Sequence, residues 1–380
     1  MKQYLLLLTT FLTLTCIGQE AKQEKFKLSV SPIIDKSDPT HHAIIEALTE
    51  FLGSKNVSLT ANNFWVQSDF QKYTYPYLDI YEIENSKFGK GFYQPTLMDI
   101  IPTERSDRRI VKIAFIGHNP ETEENQLKAV YNLVANIQQG RVMFSKYLDL
   151  ATEAWRTESK ESLIYKISPN KTANEWEMKQ QLNDIYSICN FFNCQPIVIT
   201  YYSCVNPKEL FEIRGFEYHP MMYADKSGGL ADHGNIVFSG NNADIYTHEI
   251  IHIYTSSLFP KIDKFIDEGL ATWLAGSGKY SYDWHRNQFE KFIIRNKDYN
   301  FAEHTDAYER IYFEKETSIP YLTAALILER TLKIYGKEKL IELLRSENEL
   351  WTTLNTVGLT RENINEELRN QIKLPLTSVW

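Results

Sequence analysis

Beyond its first residues the chain has no apolar run of the roughly 20 residues that a membrane-spanning helix needs, so no transmembrane segment is expected. It also has no Arg/Lys run and no basic face: 49 acidic against 41 basic residues leave a net charge of −8. Such a surface does not neutralise a phosphate backbone, and nucleic acid is excluded as an expected partner. Repeats of solenoid period are missing, and the 16 glycines and 13 prolines punctuate ordinary turns instead of gathering into a linker. Cysteine is scarce, with Cys16 near the start and then only Cys189, Cys194 and Cys204. In a compartment that permits disulfides, those last three predict one pair and one buried thiol, without saying which pair forms. The spacing of Cys189 and Cys194 would suit a metal, but no nearby residue offers the further ligands of a structural zinc site.

What is present is the composition of a folded protein, with 43% hydrophobic, 13% aromatic and 24% charged residues. A length of 380 residues allows two globular units. Residues 1–18 read as a cleaved export signal: Met1 and Lys2, an apolar run from Tyr4 to Ile17, then Gly18. The expected location is therefore periplasmic or extracellular, and Cys16 is a candidate for a lipid anchor. Residues 40–52 carry Ile44, Ile45, Leu48, Phe51 and Leu52 at helical spacing behind Pro39, while residues 110–116 and 140–147 alternate as strands. The fold class expected is α+β, with a small N-terminal α+β domain of unknown role over residues 27–155 and a second domain over 160–376. In the second, strands at 163–168, 197–202 and 235–239 frame helices at 174–192, capped near Thr172, and 207–212, and the chain then turns helical to its end. As a sheet edge, the strand 235–239 would pair with an extended peptide through backbone hydrogen bonds, an ordinary interior strand being the other reading.

Residues 247–255 read Thr-His-Glu-Ile-Ile-His-Ile-Tyr-Thr. Positions four apart share one helix face, so His248 and His252 can present their imidazoles to a single ion while Glu249 points at its remaining coordination position. Asn242 or Asp244 is expected to cap that helix, and Pro260 to end it. A second segment, Phe265-Ile266-Asp267-Glu268-Gly269-Leu270-Ala271, opens another helix that stops at Gly276. Catalytic zinc takes three protein ligands and keeps one position for water, and a carboxylate from a second helix serves as the third. Glu268 is that candidate. The alternative is a pair of acids favoured at a helix start by the dipole, but the neighbouring Leu270, Ala271, Trp273 and Leu274 imply a helix buried on most sides, where an unpaired carboxylate is costly. Among the other histidines, His233 alone is near enough in sequence for a substrate contact, a turn residue being the other reading, and the adjacent His41 and His42 read as solvated.

His248-Glu249-x-x-His252 followed by Glu268-Gly269-Leu270-Ala271 resembles the gluzincin zinc metallopeptidases, the peptidase MA-like group that includes thermolysin and the aminopeptidase N family. Ser318-Ile319-Pro320-Tyr321 is similar to the Pro-Tyr that starts a helix in the aminopeptidase N family, and the likeness covers residues 160–375. The resemblance implies a mixed sheet lobe and a helical lobe with the site between them. It further implies one Zn2+ ion on His248, His252 and Glu268, Glu249 as general base toward the attacking water, and the Tyr321 hydroxyl as a second donor to the oxyanion, with Tyr312 in reserve. Fifteen residues separate His252 from Glu268, fewer than the family usually has, and the exopeptidase Gly-x-Met-Glu-Asn motif is missing. Residues 233–239 in its place hold no acid for a substrate α-amine, so the expectation is an exported endopeptidase acting on peptides or unfolded protein segments. The rival is a catalytically silent protein that keeps the peptidase fold for binding or scaffolding at the cell envelope. Retention of Glu249 beside all three ligands favours the enzyme.

Overall fold

The computed structural model describes residues 28–376, and the segment expected to be an export signal, with Cys16, lies outside them. The described chain begins with β1 (Ser29–Val30), α1 (Pro39–Ser54) and α2 (Gln67–Tyr73), followed by β2 (Gln94–Pro102), β3 (Arg108–Asn119), β4 (Glu124–Gln138) and β5 (Arg141–Lys146). The Asp38 carboxylate accepts from the backbone N–H groups of Thr40 and His41, and Pro39 occupies the first helical position, which together fix where α1 starts. β2 to β5 form an antiparallel meander, with β1 added in parallel beside β2. The apolar stripe of α1, Ile44, Leu48, Phe51 and Leu52, shares one core with Val111, Leu133 and Phe144 of that sheet.

After α3 (Leu148–Ala151) come β6 (Arg156–Lys160), β7 (Leu163–Ile167), α4 (Glu175–Phe192), β8 (Ile199–Ser203), α5 (Pro207–Arg214), β9 (Phe216–Tyr218), β10 (Gly229–Asp232) and β11 (Ile236–Ser239). The second sheet runs β10-β11-β8-β7-β6, parallel through its three inner strands and antiparallel at both edges. The segment 235–239 is thus an interior strand, and the edge is β10. A cap also moves: α4 is capped by Asn174, which accepts from the N–H groups of Trp176 and Glu177, rather than near Thr172.

The two sheets are joined through α5 and β9. β9 crosses back to pair with β4 of the first sheet. Asp79 is ion-paired to Arg214 of α5, and Lys146 stands 3.5 Å from Asp79 and 3.7 Å from Asp232 at the end of β10. Tyr73, Leu148, Tyr202 and Phe238 pack together beside this cluster.

The remainder is helical apart from one short hairpin: α6 (Thr247–Leu258), α7 (Lys264–Ala275), α8 (Tyr282–Arg295), β12 (Tyr312–Phe313), β13 (Thr317–Ser318), α9 (Ile319–Leu344), α10 (Leu350–Asn355) and α11 (Ile364–Gln371). α9 is interrupted at Gly336, whose φ is 81°. Every residue of α7 from Phe265 to Leu274 is buried. A Cβ at Gly269 would lie 2.3 Å from the Cβ of Ala324, so this glycine is what lets α7 lie directly on α9. The fold is α+β, and no described helix is long and apolar enough to cross a membrane.

Cys189, Cys194 and Cys204 are all free, against the expectation of one disulfide. Cys204 sits in a different apolar cluster from Cys189, and the Cys189 thiol contacts the Tyr254 hydroxyl at 3.5 Å. Burial raises the thiol pKa of Cys204 and pushes that of Cys194 up to about 12.

Candidate metal centre

Two consecutive helices carry the candidate ligands, with Thr247 to Leu258 supplying both imidazoles and Lys264 to Ala275 the carboxylate. α6 has no side-chain cap: its N-cap residue is Tyr246. Asp244, expected as a cap, is instead buried against Lys171 at 2.8 Å and accepts from the Asn174 N–H at 2.6 Å, where it ties the start of α4 to the loop before α6. One ligand atom from each of His248, His252 and Glu268 falls within 4.8 Å of the others. The two ring centroids are 5.0 Å apart, and Glu268 Oε2 stands 3.3 Å from His248 Nε2 and 3.5 Å from His252 Nε2.

The tautomers follow from the partners on the other side of each ring. His248 Nδ1 is 2.8 Å from the Gly276 carbonyl, which can only accept, so Nδ1 carries a proton and Nε2 is the nitrogen turned toward Glu268. Gly276 presents that carbonyl because α7 ends there at φ 80°. His252 Nδ1 donates to Asp267 Oδ2 at 2.9 Å, and the other Asp267 oxygen accepts from Thr255 Oγ1 at 2.7 Å. Both imidazoles are therefore oriented from behind, which is how histidine ligands are held at metal sites. Lys264 Nζ pairs with Glu268 Oε1 at 2.9 Å, leaving Oε2 on the side of the histidines.

Burial disfavours an imidazolium at His252, but Asp267 and Glu268 outweigh it and push the His252 pKa up to about 10. Burial alone would raise Glu268, yet the hydrogen bonds and charge of His248 and His252 hold its carboxyl far below the usual carboxylate range. A cation fits this set. Two nitrogen donors and one carboxylate oxygen converge, all three side chains are nearly inaccessible, and a metal that takes His252 Nε2 replaces the proton that the carboxylates otherwise favour.

A cleft of 360 Å³ opens onto the group, lined by His248, Glu249, His252, Glu268, Tyr246 and Tyr321 together with the edge strand β10. Glu249 Oε2 accepts from the Ala231 N–H at 2.8 Å, which attaches the edge strand to the residue expected to act as base. Tyr321 lies in the first turn of α9, its ring 6.4 Å from that of His248. Burial and the neighbouring Glu268 carboxylate raise the Tyr321 pKa, and burial with Glu249 raises that of Tyr246, so both hydroxyls keep their protons at neutral pH.

Tyr312 is exposed on β12, outside the cleft lining. His233 is also outside it, packed edge-on against Tyr75 in the exposed turn after β10. Asp267, Lys264, Tyr246 and the Gly276 carbonyl escape a reading of the motifs. Only for Asp267 is there a sequence signal, its place beside Glu268 on a buried helix. Comparison with protein-family models and with curated proteins finds no match to this chain.

Proposed function

We propose that this chain is an exported, zinc-dependent endopeptidase that hydrolyses internal bonds of peptides or unfolded protein segments. The observation that carries the reading is the convergence of His248, His252 and Glu268 within 4.8 Å, each oriented from behind, in the cleft that also holds Glu249. A zinc ion on those three residues would supply Lewis acidity, lowering the pKa of a water to about 7 and polarising a carbonyl.

The chain's own groups support the remaining steps. Held by the Ala231 N–H on one oxygen, the Glu249 carboxylate can take a proton from the attacking water and pass it to the leaving amine. Tyr321, protonated at neutral pH, can donate to the developing oxyanion. On the edge strand, Gly228 turns its carbonyl inward to the Gly240 N–H, so the two-residue alternation turns Gly229 and Ala231 outward. The outward backbone groups not taken by Glu249 are there to pair with an extended substrate, a mode that reads no particular side chain.

The test is zinc content and cleavage of a quenched peptide library, measured on the purified chain and on Glu249→Gln. The expected result is about one zinc in each and cleavage only by the parent, with a loss of about 10²–10⁴ in rate for the variant. Zinc without cleavage in the parent would instead favour a binding or scaffolding role, and absence of zinc would remove the assignment of all three ligands.

A further inference from the structure

A second cavity, of 490 Å³, adjoins the cleft. Tyr246 and His248 line both, so the two spaces share that wall, while the edge strand borders only the first. The second cavity is walled by Ile245, Leu274 and Tyr280, with Asp184 of α4 on one side. The Asp184 carboxylate accepts from two neutral donors, Gln180 Nε2 at 2.9 Å and the Thr247 hydroxyl, and among the described residues it makes no ion pair. The cation nearest to hand in the lining, Lys279, is exposed and sits 5.1 Å over the Tyr280 ring instead of on Asp184.

We infer that this cavity is a substrate subsite selecting a lysine or arginine side chain, a reading that rests on the peptidase assignment above. A peptide laid along β10 passes His248, and the residue beyond the cut bond reaches the second cavity. An aliphatic stem of three or four carbons has Ile245, Leu274 and the Tyr280 ring to cover it, and the cationic head meets the one carboxylate in the wall. A half-buried acid whose partners are neutral favours a cation over a neutral side chain of the same length.

The experiment is cleavage of peptides that vary only in the residues flanking the cut, by the zinc-loaded parent, Asp184→Asn and Asp184→Glu, with zinc content checked in each. Expected is a kcat/KM for Lys or Arg at one flanking position about tenfold or more above that for Leu or Met, lost in D184N and retained in D184E. Cleavage without a basic preference, or a preference that survives in D184N, overturns the subsite and leaves the peptidase reading standing. A zinc-loaded parent that cuts no peptide overturns both.

Discussion

Asp267 is the sharpest test of whether the site is built for a metal. The residue is 7% exposed, and its carboxylate receives His252 Nδ1–H at 2.9 Å and Thr255 Oγ1–H at 2.7 Å and pairs with Lys264 at 3.1 Å. Asp267→Asn keeps the shape and one acceptor but removes the charge, whereas Asp267→Ala also frees the imidazole to rotate and to change tautomer. Loss of such an outer partner costs about 10- to 100-fold in metal affinity, or about 1.4–2.8 kcal/mol. D267N is expected near the lower figure and D267A near the upper. A competing effect must be weighed, because the same carboxylate helps hold a proton on His252, with its pKa of about 10. Removing it eases that competition at neutral pH. The metal carries two charges to the proton's one, so the carboxylate favours the metal more, and the net effect of its loss is weaker binding. The assay is zinc competition against a chromophoric chelator over a range of pH. Both variants should bind more weakly, with a shallower pH dependence than the parent. Zinc bound by D267A as tightly as by the parent would refute the account of His252 as a ligand oriented from behind.

Tyr321→Phe should lower kcat about 10²–10³-fold with zinc affinity unchanged, read from kcat and KM beside metal content; equal kcat would remove the tyrosine from the mechanism. Gly269→Ala places a methyl 2.3 Å from the Cβ of Ala324 and should cost about 1–3 kcal/mol in urea unfolding. Asp79→Asn leaves Arg214 and Lys146 buried without their common acid, and about 3–5 kcal/mol of stability should go with it. In the parent, burial would raise the Asp79 carboxyl, but Arg214 and Lys146 outweigh it and hold it below 3.8, its ordinary value. That contribution is therefore complete above the ordinary value and is lost as pH falls below it, so melting temperatures of parent and D79N should converge in acid. Parallel curves down to strongly acid pH would argue against the pair.

What could be read from the sequence follows from the range of each interaction. The His248, Glu249 and His252 arrangement is set within one helical turn, and burial of Glu268 follows from the apolar residues after it, so these four were legible and the structure brings them into one cleft. Helices with a local cap or stripe, such as α1 and α4, lie within a residue or two of their expected bounds. What was not legible depends on distant chain. β4, the longest strand, is mostly polar at its start, and its path is fixed by β3, β5 and β9 around it. The edge strand is Gly229-Leu230-Ala231-Asp232, weak in strand formers, and it is a strand because β11 beside it offers a backbone to pair with. For the more strand-like 235–239 both edge and interior readings stood open, and the burial of 236–239 on both faces is what marks the interior position. The same limit hides what completes the site. Ala231, Gly276 and Asp184 touch Glu249, His248 and Thr247 through contacts 18, 28 and 63 residues apart. The motif thus specifies which atoms can meet a metal, while the fold decides what stands behind and beside them, and it is there that substrate choice must be sought.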